Sequence, residues 1–338
     1  MTEQITTTPE VEARKKSSRS EAAKRALVQF RKLAFSSPLT AFGTVAVIVF
    51  VSLAILYVVT GGAIAPYGAN QQNLLDTNAP PSLAHWFGTD FAGRDIFSRV
   101  LAALPVDIGI PIFIVFLSAV IGIVFGMIAG YVGGLVEEAI MRVCDLFLAF
   151  PTIIMALAVA ATLGPSLLNA ALALTFVWWP PYVRLVRGGV LAVKSEDYIA
   201  ASKTLNSSFF YIMRKGLFPN IIPAVLVYAS LDVGTALLSV SSLGFLGVGI
   251  PPDLPELGSM VASIMNVVYA YPWEALLPSV IVLLIVLGFS LFGDGLREVS
   301  DVKVRPHVLL KNRILGTRNP EQRGGEKQQE KAPEEATA

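Results

Sequence analysis

The chain has 338 residues, 54% hydrophobic and only 15% charged, with a mean hydropathy of +0.63, a balance outside the range of water-soluble domains. It reads as an integral membrane protein. With 26 Lys and Arg against 25 Asp and Glu, the formal net charge of +1 conceals an uneven distribution and says nothing about nucleic acid, and no nucleic-acid partner is expected.

Residues 1–38 are a polar N-terminal tail whose first twenty residues hold no apolar core, so no secretory signal peptide is expected. Ala23, Leu27, Phe30 and Ala34 recur at helical spacing with Lys24, Arg25, Arg31 and Lys32 between them, which suits an amphipathic helix on the inner leaflet or a solvated one. Residues 39–60 form the first predicted span. An extracytoplasmic loop, 61–104, follows. In it Asp90 is expected to cap an interfacial helix from Phe91, with Ile96, Phe97, Val100 and Leu101 on one face opposite Arg94 and Arg99. His85 and His307 stand apart in the sequence and predict no ligand site.

Residues 105–298 hold further runs free of Asp, Glu, Lys and Arg: 108–136, 146–183, 216–231, 233–252 and 275–293. A span needs about 20 residues. The run 146–183 is too long for one pass and is broken at Gly164-Pro165, which predicts a helical hairpin, while the next two join across Asp232. An all-α polytopic fold with six spans results. Gly122, Gly126, Gly130, Gly133 and Gly134, and again Gly244, Gly247 and Gly249, read as close-packing interfaces. After Pro251-Pro252, residues 257–271, with Met260, are expected to form a helix at the outer mouth. Arg142 and Asp145, three apart, are expected to pair. The C-terminal tail, 299–338, is expected to be largely disordered from about Pro306.

Basic residues set the expected orientation. Eight lie in residues 1–38, one is Arg142, six run from Arg184 to Lys215 and nine lie from Arg297 onward, so 24 of 26 fall on one side and only Arg94 and Arg99 on the other. The positive-inside rule places both termini in the cytoplasm.

The polar insert 195–220 lies on that cytoplasmic side. Ser195 is expected to cap a first helix with Glu196 and Asp197 in its first turn, ending near Leu205 at a left-handed Asn206. Ser207 or Ser208 caps a second helix that runs to about Lys215 and stops at Gly216 and Pro219. Two capped helices outside the bilayer predict a docking surface. Asp232, near mid-span, has no basic residue on its own helix, and its expected partners are Ser230, Thr235, Ser239 or a partner subunit. It either lines a translocation path, with Ser239 and Met260, or makes a buried interhelical hydrogen bond. The sequence holds no GxxxxGK[ST], HExxH or GxSxG pattern, and Cys144 is the only cysteine, so no catalytic residue or metal site is predicted.

Six segments carry a resemblance: IAPY at 64–67, HWFGTDFAGRDIFSRV at 85–100, MRVCDLFLAFP at 141–151, YVRLVRGGVLAVKSEDYIAAS at 182–202, LFPN at 217–220, and SLGFLGVGIPPDLPELG with LFGDGLREVSDVKVR toward the C-terminus. In order and spacing, over about residues 30–305, the chain resembles the C-type transmembrane subunit of the dipeptide/oligopeptide/nickel permeases, a branch of the type I ATP-binding-cassette importers. The resemblance implies half of a translocation pore, completed by a homologous B-type permease subunit, two cytoplasmic ATPases that bind ATP and Mg, and an extracytoplasmic solute-binding protein. No cofactor is implied in this chain itself. Coupling to the ATPases would fall on Glu196, Asp197, Tyr198, Ala200, Ala201, Ser202, Leu205, Asn206 and Ser207. Where the family has an acid, two alanines, a glycine and a histidine, this chain has Ala200, Ala201 and Ser202, Asn206 and Gly216. Gly88, Asp90, Gly93, Arg94, Asp95, Pro219 and Asn220 carry the family's structural motifs. The implied cargo is a peptide, with an oligosaccharide or nickel as the alternative; a gradient-driven transporter would call for more intramembrane acids or an internal repeat.

Overall fold

A computed structural model describes residues 37–314 except Ile250 and Pro252, with backbone alone for Lys203 and for residues 299–314. The amphipathic N-terminal pattern and the His307 side chain lie outside the described residues. Contacts divide the chain into two units at Leu296 and Arg297.

Among the described residues ten helices follow in order: α1 Pro38–Val59, α2 Ile96–Val132, α3 Gly134–Leu148, α4 Thr152–Leu163, α5 Leu167–Trp178, α6 Pro180–Lys194, α7 Asp197–Thr204, α8 Phe209–Phe245, α9 Leu257–Ile264 and α10 Pro272–Ile314. Among the described residues the only β pairing is an isolated Thr89–Asp95 bridge. Four helices among the described residues are long and apolar enough to cross a membrane: α1, α2, α8 and residues 272–298 of α10. The α3–α4 pair, bent by 87°, makes a fifth candidate if it counts as one span. The predicted hairpin forms, with Gly164 at φ +85° between α4 and α5, but each arm has 12 residues, about 18 Å, short of a hydrocarbon core of about 30 Å.

Helices α2 and α6 pack closely along three turns. A Cβ on Gly122, Gly126 or Gly130 would lie 2.2, 2.7 and 2.7 Å from the Cβ atoms of Tyr182, Val186 and Val190, so three small residues one turn apart receive three large ones. The two helices are therefore parallel, and the glycine stripe is an interface within this chain. Gly293 presses on Leu231 of α8, and Gly288 on Ala46 and Val47 of α1, which seats α10 between those helices.

Several expectations change. No separate helix starts at Phe91: α2 begins at Ile96, and Asp95, not Asp90, is its cap, accepting from Ser98 N at 2.7 Å. Asp90 instead closes a turn, its carboxylate accepting from Ala92 N, Arg94 N and Arg94 Nε. A turn acid and a cap acid five residues apart look alike in sequence. Arg99 is buried rather than facing water, donating to Ala69 O and Asn70 Oδ1. Arg142 reaches Glu138 at 3.4 Å, while Asp145 meets Arg184 of α6 at 2.6 Å, because a neighbouring helix offers a guanidinium at shorter range than the i,i+3 partner. A second ion pair, Glu137–Arg187, also joins α3 to α6. The last helix continues through Pro306 to Ile314. Strong helix formers such as Leu309, Leu310 and Lys311 occupy that stretch, and the Gly/Gln-rich composition begins only beyond it.

Candidate functional site: the segment between α6 and α8

The 195–220 segment folds differently from its sequence reading at both ends. Ser195 closes α6, its hydroxyl donating to Ala192 O at 2.9 Å, so it does not cap the next helix. The carbonyl of Glu196 accepts from Ile199 N and Ala200 N as α7 begins, with Asp197 in the first turn where the helix dipole favours a negative charge. At the other end Asn206 adopts φ +54°, and Ser207 N reaches back to Ser202 O at 3.0 Å, a closing geometry that Asn tolerates better than most residues. Ser208 then caps α8, accepting from Tyr211 N.

The second helix does not stop at Gly216. It opens into a π-helical stretch, Ile212–Leu217, and continues into the 28 residues Phe218–Phe245. The wider turn accommodates Pro219, whose ring and missing N–H would otherwise break the ladder. The carbonyl of Gly216 receives side chains: Asn220 Nδ2 donates to it at 2.7 Å and Tyr198 OH at 3.2 Å, while Asn220 Nδ2 also lies 3.0 Å from the Tyr198 hydroxyl oxygen. Ile199, fully buried, places its Cδ1 2.7 Å from where a Cβ of Gly216 would be. A side chain at 216 would have to displace the end of the Ile199 side chain. The short helix α7 is thus clamped to the root of α8.

Clamped on one side, α7 shows the other to solvent. Ala200, Ala201 and Leu205 are exposed, Leu205 at 81%, and so are Phe210 at 71% and Tyr211 at 54% in the first turn of α8. Ser202 is partly covered and its hydroxyl bonds Tyr198 O. Sequence reading named the small residues but missed Phe210 and Tyr211, which a strict helical stop at Lys215 had assigned to a separate element.

Of the residues named for a translocation path, Asp232 and Ser239 lie on α8 and Met260 on α9. Asp232 of α8 is held through Oδ2 by Trp178 Nε1 at 2.7 Å and Tyr182 OH at 2.8 Å, not by the hydroxyls named from the sequence. Ser239, two turns further on, is buried and bonds Thr235 O. Met260 of α9 lines a pocket at the far end of α8.

That end is built by the outer-loop motif. Gly88 at φ +77° and Gly93 at φ +67° approach Ala79 O and Asn73 O so closely that any Cβ would collide. His85, read as isolated, bonds Asp95 Oδ1 through Nδ1 at 2.9 Å and packs on Tyr67. Asp107 of α2 accepts from Leu257 N, and Glu256 caps α9, accepting from Gly258 N and Ser259 N. Burial pushes the Glu256 carboxyl above its usual range, and its backbone donors oppose that rise. Asp107 and Glu256 are both fully buried; neither stood out in the sequence, where each merely bordered an uncharged run. Among the described residues no cluster could hold a metal ion.

The family model for "binding-protein-dependent transport system inner membrane component" matches residues 122–306, more than half of the chain. The chain belongs to that family. It is therefore a multi-pass inner-membrane transport component, and the family is one of permeases rather than of enzymes. Its relatives include a probable D,D-dipeptide transport system permease protein of Escherichia coli K12, 39% identical over 79% of this chain and 88% of that one. A dipeptide transport system permease protein of Alkalihalophilus pseudofirmus is 40% identical over 67% and 74%, and a glutathione transport system permease protein of Escherichia coli O6:K15:H31 is 38% identical over 76% and 85%. Among solved structures, the inward-facing MetNI methionine ABC transporter aligns at 20% identity and TM-score 0.45, over 57% of this chain and 94% of that one.

Proposed function

We propose that this chain is one of two permease subunits of an ATP-driven peptide importer, with a homologous B-type subunit, two cytoplasmic ATPases carrying ATP and Mg, and an extracytoplasmic solute-binding protein as partners. The observation that carries this reading is a short helix, α7, that exposes Ala200 and Ala201, with Leu205 exposed just past its end, while its other face is bonded to the root of α8. Small side chains can enter a cleft on an ATPase, and the clamp passes its displacement to a 37-residue helix about 55 Å long. ATP-driven closure of the ATPases then rocks the bundle between inward- and outward-open states. The relatives named for dipeptide, D,D-dipeptide and glutathione transport supply the cargo class. The chain crosses the membrane six times in this reading, the α3–α4 and α5–α6 pairs each giving one pass.

The mechanism requires α7 on the cytoplasmic side with both termini, and Arg94 outside. Cysteine-accessibility labelling in a background lacking Cys144 measures this. Lys203→Cys should resist a membrane-impermeant reagent in sealed cells and Arg94→Cys should react with it; external labelling of Lys203→Cys removes the ATPase-docking role.

A further inference from the structure

The end of α8 remote from α7 holds a pocket of about 510 Å³, walled by the outer-loop turn, the start of α2, the end of α8, α9 and the start of α10. Charges of both signs face it. Asp90, Arg94 and Arg99 form one wall; Glu274 and Asp253 also line it, with Met260 and Ser263 of α9 beside them. On the first wall two guanidiniums share one carboxylate: Arg94 Nε lies 2.7 Å and Arg99 Nε 3.8 Å from Asp90 Oδ2. That wall keeps a positive excess. Glu274 is 4% exposed, and its Oε1 has no hydrogen-bond partner. A buried carboxylate oxygen left unbonded costs free energy until a donor reaches it.

We propose that this pocket receives a small zwitterion, its ammonium group on Glu274 Oε1 and its carboxylate on the Arg94–Arg99 wall. This rests on the importer reading and names what its permease recognises at the mouth. The volume falls within the range of small-molecule sites, about 300–1,000 Å³. Among the described residues no salt bridge joins Glu274 to either arginine, so Glu274 Oε1 keeps its bonding capacity for a solute. A dipeptide with free termini has the required pair of groups.

The test is uptake by the full assembly of a dipeptide and of its N-acetylated form, which has lost the ammonium. Any preference of the solute-binding protein is the same in every assembly, so a change in the ratio of the two rates reports this chain alone. Glu274→Gln is expected to lower uptake of the free dipeptide about tenfold and leave the acetylated one unchanged, the loss expected for one charge-assisted bond. Glu274→Asp should restore most of the preference. Ser263→Lys, which adds a competing ammonium from an exposed position, should cause the same selective loss and serves where Glu274→Gln does not assemble. Equal loss of both solutes marks a structural role or a contact with a protein partner and overturns the proposal, as does an unchanged ratio in all variants. A wild-type assembly that carries neither dipeptide overturns the importer reading and this site with it.

Discussion

Ala201→Trp is expected to leave the protein in the membrane and abolish solute-stimulated ATP hydrolysis by the assembled complex, with uptake falling in parallel. Ala201 lies on the exposed face of α7, and its methyl takes no part in the bonds of Tyr198 and Asn220 that clamp the helix to α8. Indole at that position is bulk added outside the fold, so folding is spared while entry into a matching cleft is blocked. Asn206→Pro acts on the other element of the same device, removing the φ +54° turn between α7 and α8, and should uncouple as well. A complex with Ala201→Trp that keeps its ATPase subunits and normal stimulated turnover removes α7 as the transmission element.

The second large effect is expected at Asp232. Its Oδ2 accepts from Trp178 Nε1 and Tyr182 OH, so Asp232→Ala strands two donors among packed helices. Each unsatisfied donor costs about 1–3 kcal/mol in a buried setting, and interhelical bonds in membranes about 0.6–1.7. Asp232→Ala should therefore lower the melting temperature of the purified assembly by several degrees, whereas Asp232→Asn, which keeps an acceptor oxygen, should fall much less. Tyr182→Phe combined with Asp232→Ala should cost less than the sum of the two, since they share one bond. If Asp232→Ala assembles with unchanged melting but altered solute preference, Asp232 lines the path and its bonds are incidental.

Legibility from sequence followed the range of the forces involved. The glycines of α2, the break at Gly164 and the left-handed Asn206 were readable because each is a local demand on one residue type. The motif around Asp90 and Asp95 was recognisable but misassigned. A cap and a turn both use an acid beside free N–H groups, and only the Gly93 backbone, pressed on Asn73, decides which acid does which. The stop expected at Gly216 and Pro219 failed for a comparable reason: a π turn absorbs the proline, and the side chains of Asn220, one turn further along the same helix, and of Tyr198 on α7 satisfy the freed carbonyl. Partnerships across helices, Asp232 with Trp178 and Tyr182 or Asp145 with Arg184, depend on packing over 39 to 54 residues of sequence. No periodicity carries that information. The charged pocket was hidden for the same cause, its walls coming from five separate elements.

The most direct measurement is ATP-dependent accumulation of a labelled dipeptide in sealed vesicles containing this chain with its permease partner, both ATPases and the solute-binding protein. The account predicts uptake against a gradient that requires ATP and the binding protein and disappears with Ala201→Trp. Accumulation that proceeds without ATP, driven by an ion gradient alone, would contradict it.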